Sequence, residues 1–137
     1  MPDRIVNVSD GSNAAIHALA VAAAGGGRVT AASCASELGV SPSYLAKVLQ
    51  TLARGGLLNS TRGAAGGFEL ARDASRISCL DVIELVDGPL PRRDCLFKKA
   101  VCPKKGCALK LMCEKVEKSL RAALESTTIA ALAASFK

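Results

Sequence analysis

The sequence predicts a mainly α-helical chain with one small β-hairpin, on three observations. Half of the residues are apolar, yet only four are aromatic (Tyr44, Phe68, Phe97 and Phe136), and alanine dominates. That composition suits close-packed helices better than a β-sandwich, which draws on β-branched and aromatic residues. Helix start and stop signals recur: serine or threonine before apolar periodic segments, glycine after them. Between residues 57 and 70 this rhythm gives way to two short extended runs around a glycine-rich tip. At 137 residues the chain suffices for one domain with a real core and a dimerising appendage. No stretch approaches the roughly 20 apolar residues that span a bilayer. The apolar run at 14–24 is too short, is broken by His17 and has no export signature, so a soluble, cytoplasmic protein is expected.

The elements follow in order. Ser9 or Asp10 caps a first helix running to about Ala24, where Gly25, Gly26 and Gly27 stop it. These glycines lack the strand and spacing of a phosphate-binding loop. Thr30 caps a second helix, Ala31–Leu38, closed by Gly39. A third opens with Ser41 at the cap and Pro42 at the first helical position, where no amide hydrogen is missed. It carries Leu45, Val48, Leu49 and Leu52 on one face and ends near Gly55 and Gly56. Ala35 is small where the second and third helices meet, Gly39 makes the turn, and Val40, Leu45 and Val48 fill the space between. Those offsets describe a helix-turn-helix.

Leu57 to Arg62 and Phe68 to Leu70, joined by the segment 63–67, form a hairpin placed as a wing beside it. Ser78 and Asp81 resemble a capping box for a short helix through Val86, with Ile77, Leu80, Ile83 and Leu85 turned to the core. Asp87, Gly88, Pro89 and Pro91 stop it, and residues 88–106 read as a loop. From about Cys107 to Glu125 a long amphipathic helix carries Leu109, Met112, Val116, Leu120 and Leu124 at steps of three or four. A second copy of the chain is the expected cover for this stripe, giving a twofold homodimer, with back-packing on the chain's own body as the alternative. A short helix over 128–134 closes the chain. Three regions result: a winged helix-turn-helix domain at 1–87, a cysteine-containing loop at 88–106, and a dimerisation helix with its cap at 107–137.

The net charge of +6 is unevenly placed. Residues 1–90 carry seven Lys/Arg against eight Asp/Glu, whereas 91–137 carry eleven against four. Bulk charge therefore does not mark the N-terminal part as a nucleic-acid binder, and local placement has to. Ser43, Tyr44 and Lys47, early on the third helix, would face base edges and phosphates in the major groove of double-stranded DNA. Thr30 and Ser41 stand where helix N-termini present amide hydrogens to phosphate. Arg62 would lie along the adjacent minor groove, and Gly63 and Gly66 let the wing's backbone approach closely. Contacts this few call for a dimer on a pseudo-palindromic operator. With about four to six phosphate contacts per dimer, log K should fall against log salt with a slope of roughly −4 to −5. A plain hairpin without a partner, or a winged domain used for protein contacts, is the competing reading.

Six cysteines without an export signal point to metal binding or redox sensing rather than disulfides. Cys34 and Cys79 sit inside apolar helical patterns and read as packing residues. Cys95, Cys102 and Cys107 do not: they fall in the predicted loop and at its end, interleaved with Lys98, Lys99, Lys104 and Lys105. Their spacing lacks the paired knuckles of a zinc ribbon, whereas thiolates on flexible backbone suit an iron–sulfur cluster. Surrounding cations offset a cluster's negative charge. The same cysteines could instead stay unliganded or form a thiol switch. Cys113 is a candidate fourth ligand, and Asp10 and His17 are placed to reach a partner subunit's loop, although an isolated histidine in an alanine-rich helix is more often a packed or surface residue. No nucleophile–base pairing suggests an enzyme.

The run Ser41-Pro42-Ser43-Tyr44-Leu45-Ala46-Lys47-Val48-Leu49, the stretch Gly56 to Gly63, the run Gly66 to Ala71, and the segment 77–89 together resemble the IscR/NsrR family of bacterial winged-helix regulators. Cys95, Cys102 and Cys107 fall in that family's ligand loop. The resemblance implies a homodimeric transcription factor whose operator binding is set by a [2Fe–2S] or [4Fe–4S] cluster responding to iron, oxygen or nitric oxide. It also implies Asp10 as a fourth ligand from the partner subunit, matching the nitric-oxide-sensing branch. Three features depart from the family. Its cluster-binding members space their cysteines evenly, whereas the gaps here are six and four residues. Ala46 stands where the cluster-assembly regulator has an operator-reading glutamate, and Cys113 replaces a common aromatic. Two other readings fit the same cysteines: a cluster-free regulator using thiol oxidation or a small ligand, and a small iron–sulfur electron carrier.

Overall fold

Helix α1 (Asp10–Ala24) is the axis around which the rest is built. In the computed structural model, which describes residues 8–63, 66–90 and 107–136, it packs against elements from both halves of the sequence. Ala15, Ala18, Leu19, Ala20 and Ala22 are completely buried, which explains the alanine-rich composition: small side chains let neighbouring helices approach from several sides at once. Ser9 is its cap, the hydroxyl accepting the Ser12 amide at 3.0 Å, so Asp10 is the first helical residue.

Helices α2 (Ala31–Leu38) and α3 (Pro42–Arg54) follow as expected, joined by Gly39 at φ 69°. That left-handed conformation is open to glycine and costly to most other residues. Leu45, Leu49 and Leu52 are fully buried, each contributing about 1.5–3 kcal/mol of burial free energy. Strands β2 (Leu58–Thr61) and β3 (Gly67–Leu70) form the hairpin, pairing Leu58 with Leu70 and Thr61 with Gly67. The sheet has a third strand that the sequence pattern did not disclose. Strand β1 (Arg28–Val29) pairs antiparallel with β3, setting Arg28 against Glu69 and Val29 against Phe68, in the order β1-β3-β2. Two residues after a glycine run carry no readable alternation.

A 3₁₀ turn (Ala74–Arg76) precedes helix α4 (Cys79–Asp87). The Ser78–Asp81 capping box is present in both directions, at 3.0 Å each. Helix α5 (Ala108–Ser126) leads to α6 (Ile129–Ala133) and a closing 3₁₀ turn. The end of α5 is pinned to the start of α4: Cys79 donates its amide to the Thr127 carbonyl, and Ile129 to that of Ile77. Leu124 packs against the core and Arg121 lies 3.6 Å from Glu84. Back-packing thus holds for the last turns of α5. Its first turns stand out from the body, with Leu109, Met112 and Val116 about half exposed or more, and Leu111 beside them. Among the described residues no helix is long and apolar enough to cross a membrane.

Candidate nucleic-acid interface and cysteine site

Helix α3 turns its leucines inward and leaves Ser43, Lys47, Gln50 and Arg54 exposed on the opposite side. The Ser41 hydroxyl accepts the Tyr44 amide at 3.2 Å, and Thr30 accepts the Ser33 amide at 3.1 Å. Both residues are caps, and both remain on the surface. Tyr44 stands to one side of the exposed ridge. With Leu38 and Val40 it faces Asp10, Asn13, Ala14 and His17 across an open groove of about 550 Å³. Gln50 and Arg54 were missing from the residues singled out in the sequence, although the helical period that places Leu45 and Leu52 inside puts them outside.

At the wing, Arg62 and Gly63 are exposed beyond the end of β2, and the Gly66 amide donates to the Gly63 carbonyl at 2.9 Å. A side chain at Gly66 would put its Cβ 2.7 Å from that carbonyl oxygen and 2.8 Å from that of Thr61, so the tip closes only around glycine. The structure therefore places the third helix and the wing next to one another, through β2 packed on α3.

Cys95 and Cys102 lie outside the described residues, as does most of the 88–106 segment. Cys107 is described: it is the N-cap of α5, half-buried, and its thiol accepts no cap hydrogen bond. Cys113, half-buried, follows after about one and a half turns. Cys34 and Cys79 are buried in the core. Burial, reinforced by the charge of Glu37, pushes the Cys34 thiol up to about 11, and burial raises that of Cys79. Of the four cysteines among the described residues, Cys107 and Cys113 are the two not sealed in the core. Among the described residues no group of three or more His, Cys, Asp or Glu is placed to hold a metal. The donor chemistry that is present nevertheless fits a thiolate-ligated group: the half-buried Cys107 sulfur stands at a helix N-terminus, where the helix dipole favours negative charge.

Where that segment begins, Asp87 ends α4 with an unusual attachment. Ser9 donates its hydroxyl to one carboxylate oxygen of Asp87 and Ser12 donates to the other, both at 2.7 Å. Ser12 is fully buried, and this bond satisfies its hydroxyl donor. A carboxylate at a helix C-terminus is opposed by that helix's dipole, but here it also meets the N-terminus of α1, where negative charge is favoured. The beginning of α1 is thereby clamped to the point where the chain leaves for the cysteines. On α1, His17 is exposed; its Nδ1 lies 2.7 Å from the Asn13 carbonyl, which can only accept from it. The ring also meets Phe136 edge-on, with centroids 6.3 Å apart.

A family model described as Rrf2, iron-dependent transcriptional regulator, matches residues 8–135. A protein of Mycobacterium tuberculosis named HTH-type transcriptional regulator Rv1287 is 36% identical over 112 residues, covering 81% of this chain and 70% of the relative. Among solved structures, that of T. potens IscR is similar with a TM-score of 0.74 and 28% identity, over 97% of this chain and 90% of that one. The oxidized form of Staphylococcus aureus CymR gives a TM-score of 0.74 at 27% identity, over 93% and 96%.

Proposed function

Because the chain belongs to the Rrf2 family of transcriptional regulators, we propose that it is a cytoplasmic homodimer whose grip on a pseudo-palindromic DNA operator is governed by an iron–sulfur cluster bound at Cys95, Cys102 and Cys107. The winged domain at 1–87 would read the duplex through Ser43, Tyr44, Lys47 and Arg62, with Thr30, Ser41, Gly63 and Gly66 at the backbone. The segment at 88–106 would carry two of the sulfurs, and 107–137 would join the two copies through the exposed stripe of α5. Asp10 of the partner subunit, or Cys113, would complete the ligand set.

One observation carries this reading: the Asp87 clamp, with the Ser9 and Ser12 hydroxyls at 2.7 Å. It makes a stiff connection from the root of the cysteine segment to α1, which packs directly on α3. When bound, a cluster would tie the ends of the segment together and supply the redox or gas-reactive chemistry. The residues of this chain do the rest: Asp87 holds α1, α1 positions α3, and α3 meets the groove. A coupling of about 1–3 kcal/mol between ligand state and operator affinity suffices for a useful switch. Anaerobic purification of untagged protein, with iron and sulfide quantitation and a visible spectrum, tests it. Stoichiometric iron and sulfide with thiolate-to-iron absorption are expected, and the ratio separates [2Fe–2S] from [4Fe–4S]. A colourless protein free of both overturns the cluster.

The similarity to the oxidized form of S. aureus CymR favours a second reading, in which the same dimer binds DNA and the accessible thiols are themselves the switch. Mass spectrometry after peroxide treatment then finds Cys107 or a loop cysteine oxidised, together with a change in operator affinity.

A further inference from the structure

We infer that Gln50, on the third turn of α3, reads a base and selects adenine. The inference rests on α3 being the helix that enters the major groove. At 3.6 residues per turn, the face opposite buried Leu45, Leu49 and Leu52 carries Ser43, Lys47, Gln50 and Arg54 in one row. The row is about 16 Å long at 1.5 Å per residue. Its members differ in reach and in commitment. Ser43 and neighbouring Ala46, at the entering end, are short and let the helix axis lie close to the base edges. Gln50 comes two turns after Ser43, where a helix tilted out of the groove needs a longer side chain to touch the same floor. Arg54, on the last turn, is placed for the rim and its phosphates.

Hydrogen bonding narrows the assignment further. The Arg54 guanidinium reaches Thr51 Oγ1 at 3.4 Å, and the Thr51 hydroxyl is turned back to the Lys47 carbonyl at 3.0 Å. Among the described residues the Gln50 carboxamide makes no hydrogen bond. Phosphate recognition needs donors only, and Lys47 and Arg54 on either side already provide cationic ones. A neutral group with one donor and one acceptor side by side matches instead the N6 donor and N7 acceptor of adenine.

The experiment is selection from a randomised duplex library, sequencing the bound fraction, with the full-length protein and its Gln50→Ala and Gln50→Glu variants. Both substitutions are at an exposed helical position that leaves the core intact. Wild type should enrich adenine at one position in each half-site. Gln50→Ala should flatten that position by about 5- to 150-fold in discrimination and leave the others as they were. Gln50→Glu should move the preference there to cytosine, whose N4 donates to a carboxylate. Unchanged preferences with uniformly weaker binding in both variants would make Gln50 a backbone contact and overturn the inference alone. A wild type that enriches nothing would overturn DNA reading by α3 as well.

Discussion

The two ends of the molecule treat apolar side chains in opposite ways. In the winged body, Leu45, Leu49 and Leu52 on α3 have no exposed surface at all, and neither does Cys34. On the first turns of α5, Leu109, Met112 and Val116 are 49%, 47% and 62% exposed, and Cys107 and Cys113 are only half-buried. One surface is sealed within a single chain; the other leaves large apolar side chains exposed. The same contrast sorts the cysteines. Those in the body fill space, and those at α5 keep their sulfurs available.

The largest effect that would sharpen the contrast is on stability. Leu49→Ala should lower the unfolding free energy by about 2–5 kcal/mol, read by urea denaturation, because a sealed site cannot collapse around the void. Val116→Ala, at an exposed position, should leave the unfolding of isolated chains within about 0.5 kcal/mol while weakening self-association. Equal losses from the two substitutions in a monomeric protein would erase the distinction. Next in size is the clamp. Ser12→Ala removes a part-buried hydrogen bond to the Asp87 carboxylate and should cost about 1.5–3 kcal/mol. Faster amide exchange in the first turns of α1 should accompany that loss.

Much of this body was legible in the sequence because its signals are local. Ser41 with Pro42 and the Ser78–Asp81 box each announce a helix start within four residues, Thr30 and Gly39 bracket a helix between them, and each proved to be where the pattern put it. Strand β1 was not legible, since Arg28 and Val29 become a strand only when β3 arrives beside them about forty residues later. Nor was the clamp. Asp87 read as a helix stop, and nothing local pairs it with serines 75 and 78 positions away. At the candidate site, the composition of α3 was readable, but Gln50 and Arg54 were passed over in favour of the first turn. For the cysteines the sequence supplied ligand chemistry, and the structure adds Cys107's place at the head of α5; Cys95 and Cys102 lie outside the described residues.

Smaller effects should follow from the turn and from pH. Gly39→Ala forces a side chain into the left-handed region and should cost on the order of 1 kcal/mol, seen as a lower Tm. Cys34 bears on alkaline stability. Its thiol is raised in the folded state, so its contribution is fully present below the ordinary thiol value of 9.0 and is lost as pH climbs toward about 11. Between those values the unfolded chain ionises and the folded one resists. Cys34→Ala should therefore show a shallower decline of stability over pH 9–11 than wild type, measured by urea titration at each pH. Identical slopes would mean that Cys34 is not sealed.

The connection from sulfur to operator is tested most directly by fluorescence anisotropy with a selected operator duplex, under anaerobic conditions. Cluster-loaded wild type and Cys107→Ala would be titrated at one fixed salt concentration. A dimeric protein that releases or gains its operator with the cluster gives affinities differing by about fivefold or more. Superimposable binding curves, from a wild type shown to hold its iron and sulfide, would contradict control of DNA binding by the cysteine site.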